Sequence, residues 1–189
     1  MAMKPGERRL QILQTLAAML ENPRSEKVTT AALAAKLGVS EAALYRHFAS
    51  KAQMFEGLIE FIETTLFSFI NKITDEATDG VAQAEQTVVM LLSFAEKNPG
   101  MTRVLIGEAL VNEDERLQAR INQLTDKLEA ALRQSLRIAQ AANGWHGDAQ
   151  ADAAVLIAYV LGRWQLFAKS GFKRTPQDGW ALQRKFLFG

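Results

Sequence analysis

The sequence predicts an all-α fold of about nine helices. Apolar residues recur at three and four positions along most of the chain, with no sustained alternation of period two. The 12 glycines and 4 prolines among 189 residues are too few to punctuate many short strands. Pro5, Pro23, Pro99 and Pro176 all fall between periodic stretches, where a missing N–H does least damage.

The elements follow in order. The first helix is expected at about 7–21, with Leu10, Leu13, Ala17 and Leu20 on one face, and Asn22-Pro23-Arg24-Ser25 breaks it. A short second helix covers about 30–37 and a third about 41–47, separated by Gly38-Val39-Ser40. The fourth, about 51–75, carries a stripe of Phe55, Leu58, Ile59, Ile62, Leu66, Phe69, Ile70 and Ile73. The fifth runs over about 81–97 and stops at Asn98-Pro99-Gly100, and a short sixth follows at about 101–110. The seventh, about 113–141, repeats Leu117, Ile121, Leu124, Leu128, Leu132 and Leu136 with charges opposite. Glu113-Asp114-Glu115 reads as its solvated start. After the loop Asn143-Gly144-Trp145-His146-Gly147, an eighth helix spans about 149–169, and a ninth begins beyond Pro176.

Composition excludes several classes. About 48% of residues are apolar and 23% charged, the balance of a chain with a sizeable core. There is no cysteine, so disulfides, Cys-ligated zinc and Cys nucleophiles are excluded, and a reducing cytoplasm fits. The two histidines, His47 and His146, lie 99 positions apart and form no metal pair; His146 reads as an exposed loop residue. There is no Gly-rich phosphate loop, no paired-histidine motif and no triad, so neither an enzyme nor a cofactor is expected. The longest apolar run, Ala153 to Gly162, is about half the ~18 residues that span a bilayer. The N-terminal charges have no apolar segment behind them, so no secretory signal is read there.

Charge is uneven. Residues 1–51 carry eight Lys/Arg against four Asp/Glu, a balance of +4, whereas residues 52–189 carry 14 against 17, a balance of −3. A polyanion partner for the basic piece and a merely solvated face both account for this.

The segment from Thr30 to Phe48 is the most informative. Ala34 is small where two helices would cross. Gly38 suits the left-handed residue that ends a helix, and Val39 points back to the core. Ser40 is a good N-cap, and Glu41 suits the positive end of the following helix dipole. Leu33, Leu37, Leu44 and Phe48 close a small core. The spacing is that of a helix–turn–helix, with an ordinary helical hairpin as the alternative. On the first reading the second helix enters the major groove, exposing Glu41, Ala42, Ala43 and Arg46. Alanines there meet thymine methyls, and Arg46 takes a guanine or a phosphate. So short a reading face points to a dimer, or to several dimers, on a two-fold site.

Leu44-Tyr45-Arg46-His47-Phe48-Ala49-Ser50-Lys51, leading straight into a long amphipathic helix, closely resembles the TetR family pattern. The detailed match covers about residues 8–55. The resemblance implies a TetR-like fold: a helix–turn–helix DNA-binding domain at 1–50 and a helical dimerisation and partner-binding domain at 51–189. It also implies that Tyr45, His47 and Lys51 contact phosphates, although a structural His47 held by backbone is the competing reading. Thr29 and Thr30, at the start of the second helix, are placed to hold a phosphate. The N-terminal arm, with Lys4, Arg8 and Arg9, is less basic than the family suggests, which weakens non-specific binding.

Ala154, Ala158 and Gly162 lie at i, i+4 and i+8 of the eighth helix, which is apolar on all sides. Such a helix is buried all round, either at a homodimer seam or at the centre of a monomer's core.

Most TetR-like proteins are repressors released by a small ligand, and Tyr159, Trp164 and Phe167 are candidates to line such a pocket or simply to fill the core. Three stretches resemble instead the SlmA-like, nucleoid-occlusion branch of the family: Val39 to Phe48, Leu58 to Glu63, and Asn98 to Arg103. Arg120-Ile121-Asn122-Gln123-Leu124 resembles it as well. That resemblance implies a nucleoid-associated DNA binder that blocks assembly of the division protein FtsZ, holding the FtsZ C-terminal tail between the fourth and fifth helices. The matching positions are Phe61, Phe69, Met90, Ser93, Lys97 and Asn98, although Phe69 stands where a basic residue is expected and falls on the core stripe. Helical geometry adds Phe94: at ~100° per residue, Met90, Ser93, Phe94 and Lys97 lie opposite the core stripe of Ala84, Val88, Leu91, Leu92 and Ala95. Packing of Phe61 and Phe94 against other helices is the alternative.

Overall fold

The computed structural model describes residues 5–22 and 28–189. Lys4 and the break at Pro23-Arg24-Ser25 lie outside the described residues. The elements are α1 Pro5–Leu20, α2 Thr30–Leu37, α3 Glu41–Tyr45, α4 Lys51–Glu76, α5 Gly80–Lys97, α6 Pro99–Leu105, α7 Glu115–Ala141, α8 Ala149–Lys169 and α9 Trp180–Phe188. A single 3-10 turn, Glu108–Leu110, joins α6 to α7, and no strand occurs among the described residues. The sixth helix, expected to reach about 110, stops at Leu105 because Gly107 adopts a left-handed φ of 77°. The chain divides into two compact units, residues 1–62 with 98–121 and residues 63–97 with 122–189.

The first unit is built around α1. Ile12, Leu13, Leu16, Ala17 and Leu20 face its core, together with Leu33, Leu44, Phe48, Phe55, Leu58 and Ile59. Leu10 is 38% exposed, because the buried stripe of α1 is centred on Ile12 and Leu16 instead. α6 crosses α1 at Gly100, where an added Cβ would stand 1.9 Å from the Ala17 carbonyl oxygen. Arg103 then donates to the Leu20 carbonyl at 3.0 Å and to the Asn22 carbonyl at 3.4 Å, satisfying acceptors that the end of α1 leaves open.

The second unit is organised on α5 and α8. Leu91, Leu92, Val88 and Ala84 of α5 and Leu156, Val160, Trp164 and Phe167 of α8 are all buried. The Trp164 indole donates to the Leu91 carbonyl at 3.1 Å. Arg163 is only 7% exposed, and its guanidinium donates to the carbonyls of Pro176, Thr175 and Asp178 at 2.8, 3.0 and 2.7 Å. Those bonds satisfy a buried charge and fix the loop that leads to α9. By length and composition α8 would also suffice to cross a membrane. Its packing against α5 and its buried arginine make it a core helix.

The described residues leave one face of α8 open. Ala154, Val155, Ala158, Gly162 and Leu166 are exposed, and space is open around Gly162. The helix is therefore apolar all round but buried only on the side facing its own unit.

The close approach at Gly100 is directly testable. Gly100→Ala is expected to lower folding stability by about 1–3 kcal/mol, the usual cost of forcing extra volume into a packed contact. Chemical denaturation of both proteins measures it, and an unchanged midpoint would show that α1 and α6 separate freely.

Candidate nucleic-acid interface and partner groove

The helix–turn–helix forms through local caps. Thr29 caps α2 by accepting from the Ala32 N–H at 3.1 Å. Gly38 takes a left-handed φ of 66°, so its own N–H and that of Val39 reach back to the Ala35 and Ala34 carbonyls. No atom lies within 4 Å of a Cβ added at Gly38, so backbone conformation rather than space calls for glycine. Ser40 caps α3 by accepting from the Ala43 N–H at 3.2 Å. α3 ends at Tyr45, two residues before the sequence-based limit, and Arg46 and His47 form a closing turn. Phe48 anchors that turn, with its ring edge 3.0 Å from where a Gly57 Cβ would stand.

Thr29, Ser40, Glu41, Ala42, Tyr45 and Arg46 are exposed, and Thr30, Ala43, His47 and Lys51 are half-buried. Three of these residues are joined. The Thr30 hydroxyl donates to Glu41 Oε2 at 2.6 Å, and the Tyr45 hydroxyl stands 3.4 Å from Thr30 Oγ1.

Several cations assigned to DNA have partners within the unit. Arg9 donates to the His47 carbonyl at 2.9 Å and lies 4.3 Å above the Phe48 ring. Arg8 donates to Gln11 at 2.6 Å. Lys51 pairs with Glu113 at 2.5 Å, and their side chains are 23% and 10% exposed. Glu113 is therefore not part of a solvated helix start. Of that acidic triplet, Asp114 pairs with Arg116 at 2.9 Å, and hydrogen bonds from the Arg116 side chain and backbone hold its carboxyl below the usual value.

In the second unit, Phe69, Met90 and Ser93 line one groove of about 580 Å³ with Lys72, Ile73, Glu76, Ala82, Glu85, Gln86 and Val89. Phe69, a partner-site candidate that periodicity also places on the core stripe, is 46% exposed. The buried line of α4 runs through Ile62, Leu66 and Ile70 at strict i, i+4 spacing, and Phe69 falls at its edge. Phe94 departs the other way, being only 7% exposed. α5 buries Thr87, Leu91 and Phe94 as a second stripe beside the expected one, so the face opposite Ala84 and Val88 is narrower than one-sided periodicity predicts. Lys97 is exposed, and Phe61 and Asn98 are half-buried. Phe61, Phe94, Lys97 and Asn98 do not line the groove. Glu85 in its wall is held by Arg184 of α9 through two 2.7 Å bonds.

Tyr159, Trp164 and Phe167 line no part of this groove. Trp164 and Phe167 are 1% and 2% exposed, and the Tyr159 hydroxyl donates to Gln183 at 2.6 Å. Burial raises the Tyr159 pKa.

Comparison with known proteins agrees with this architecture. Residues 25–58 match the bacterial regulatory proteins of the tetR family, and residues 78–189 match the tetracyclin repressor-like, C-terminal domain of SlmA-like type. The nucleoid occlusion factor SlmA of Alteromonas mediterranea is 51% identical over 179 residues, covering 94% of this chain and 92% of that one. The chain belongs to the TetR family, in its SlmA branch.

The nucleoid occlusion factor SlmA of Vibrio cholerae is 50% identical over 186 residues, covering 95% of both chains. The fold is also that of the fatty acid degradation regulator FadR from Bacillus halodurans, at a TM-score of 0.81 and 15% identity over 99% of this chain and 97% of that one. The SlmA branch consists of DNA-binding regulators rather than enzymes, and a regulator of this kind works in the cytoplasm.

Two members of these sites escaped the sequence. Glu113 lies 62 positions from Lys51 and Arg184 lies 99 from Glu85, and no local pattern announces pairs so distant.

The Lys51–Glu113 pair gives a direct expectation for DNA binding. Glu113→Gln releases the ammonium for one more phosphate. Affinity for duplex DNA should rise at low salt, and the slope of log affinity against log salt should steepen by about one charge. Salt titrations of wild type, Glu113→Gln and the double variant with Lys51→Ala measure it. A gain that persists without Lys51 would rule out this route.

Proposed function

We propose that this protein is a nucleoid occlusion factor that sits on chromosomal sites as dimers and antagonises FtsZ assembly, so that division does not cut across the nucleoid. The carrying observation is identity near one half, over nearly the whole chain, to nucleoid occlusion factors. The exposed α3 with Tyr45, the flanking Arg46 and the capping Ser40 supplies the DNA-reading end. Thr29, Thr30, Glu41, Ala42, Ala43, His47 and Lys51 complete the proposed DNA face, which belongs to the proposed DNA-binding domain at 1–50 with Lys51 just beyond.

The proposed occupant of the groove is the C-terminal tail of FtsZ, an extended peptide with apolar and acidic residues. Phe69, Ile73, Val89 and Met90 offer apolar walls, and Lys72 offers a cation. Arg184 neutralises Glu85, which lessens repulsion of an acidic peptide. Met90, Ser93 and Lys97 follow one face of α5 at i, i+3 and i+7. Phe61 and Asn98 are proposed contacts from the family pattern alone. Phe94 acts there only from within the core.

The homodimer is proposed to form on the open face of α8. Ala154, Ala158 and Gly162 let a second helix approach closely, while Val155, at 56% exposed, and Leu166, at 38%, supply apolar area. Covering that face with a second copy buries what one chain leaves in water.

Two measurements test this reading. A fluorescent FtsZ tail peptide is expected to bind saturably, with Phe69→Ala and Met90→Ala each weakening it by roughly tenfold while DNA binding is kept. Phe61→Ala tests the family-derived contact in the same assay. No binding with or without DNA would favour a ligand-responsive repressor.

Ala158→Arg places a charge on the open α8 face without disturbing the folded monomer. It is expected to halve the sedimenting mass and weaken DNA binding. A persistent dimer would move the seam elsewhere.

A further inference from the structure

The DNA-facing surface carries a carboxylate where phosphates approach, and its placement points to a role in base reading. Glu41 is the first residue of α3, exposed between Ser40 and Ala42. Residues at this end of a recognition helix reach base edges in the major groove. A negative charge there is repelled by the DNA backbone unless it meets a hydrogen-bond donor. Favourable interaction with the helix dipole accounts for an acid in the first turn of α3. It does not account for the bond that draws this carboxylate across to α2.

That bond is specific. Thr30 Oγ1, on α2, donates its single hydroxyl proton to Glu41 Oε2 at 2.6 Å. Tyr45, one turn further along α3, holds its hydroxyl 3.4 Å from the same Thr30 oxygen. Thr30 therefore cannot donate that proton to a phosphate at the same time, which moves it from backbone contact to support of Glu41. Thr29 keeps a hydroxyl proton to donate, since its capping bond uses the oxygen only as an acceptor. The carboxylate keeps acceptor capacity after the Thr30 bond, because an ionised Glu offers about four lone-pair sites.

In the major groove only cytosine N4 and adenine N6 donate, whereas guanine and thymine present acceptors there. Adenine N6 lies beside the N7 acceptor, which repels a carboxylate; cytosine has no such neighbour on its own edge. We propose that Glu41 is a specificity-determining residue that accepts a hydrogen bond from the N4 amine of one cytosine in each half-site. Thr30 and Tyr45 are positioning residues that fix its rotamer.

The full-length protein tests this against a pool of randomised DNA duplexes, sequenced after rounds of binding. Wild type should enrich a cytosine at one fixed place in each half-site. Replacing that C·G pair with T·A, or blocking the amine as N4-methylcytosine, should weaken binding about tenfold. Glu41→Ala should lose the preference at that place alone and bind random duplex more tightly, having lost a repelling charge. Glu41→Gln should shift the preference towards adenine, which Gln recognises through N6 and N7. Thr30→Val should blunt the cytosine preference with an unchanged melting temperature, a change that a purely structural threonine would not produce. Glu41→Ala and Glu41→Gln pools that match wild type at every position would overturn the proposal. A wild-type pool with no fixed cytosine, or with adenine in its place, would do the same.

Discussion

The reading end of this protein depends on how α6 grips α1. At Gly100 the two backbones come so close that a methyl group would collide with the Ala17 carbonyl. A few residues on, Arg103 reaches past Leu20 to bond carbonyls at the end of α1, and it is itself steadied by Glu108 at 2.9 Å. An isolated helix of 16 residues with weak amphipathicity is marginal in water, so tertiary packing must hold it. α2 packs on α1, and α3 is set on α2 through Gly38 and Ser40. The orientation of the recognition helix thus descends from a contact made by Gly100 and Arg103, within one of the stretches that resemble the SlmA branch.

The second unit solves a different problem. α8 must be apolar enough to pack on α5 yet present a further face. It does so by polarity at two points and by size elsewhere. Trp164 and Arg163 turn inward and give their N–H groups to carbonyls of α5 and of the loop before α9. These are buried donors with defined acceptors, so they fix the rotation of α8 about its axis where uniform apolarity would not. The outward side is left to Ala154, Ala158 and Gly162, whose lack of bulk keeps a flat surface.

Much of this was legible in the sequence because the signals are local. Gly38 and Ser40 mark helix ends through bonds spanning three or four residues, and the structure adds Thr29 and Asp148 as the caps that begin α2 and α8. Periodicity also gave the core face of α7. It failed where a helix has neighbours on more than one side. α5 buries two stripes, so Phe94 went inward, while Phe69 on α4 was left outside a narrower stripe than expected. Nothing in the sequence announces the buried role of Arg163, just past the apolar run, because its three carbonyl partners lie 12 to 15 residues away in a loop without a pattern.

The same limit alters the meaning of the basic N-terminus. Counting charges finds an excess of +4 in residues 1–51, which suggests an electrostatic hold on DNA. The structure neutralises one of those charges, Lys51 against Glu113, and ties two more to neutral partners that orient them but leave them charged, Arg9 to the His47 carbonyl and Phe48 ring and Arg8 to Gln11. Arg9, Lys36 and Arg46 are exposed in this unit. Affinity then draws on counterion release by about one charge fewer than the sequence count, and correspondingly more on hydroxyls, helix caps and shape. A face so sparing of charge gains little from any single site. It discriminates best when two copies engage a two-fold site together, because the second contact is then made at the high local concentration set by the first. The closely packed helix that leaves its small-residue face open and the weakly charged recognition surface are, on this argument, two sides of one requirement.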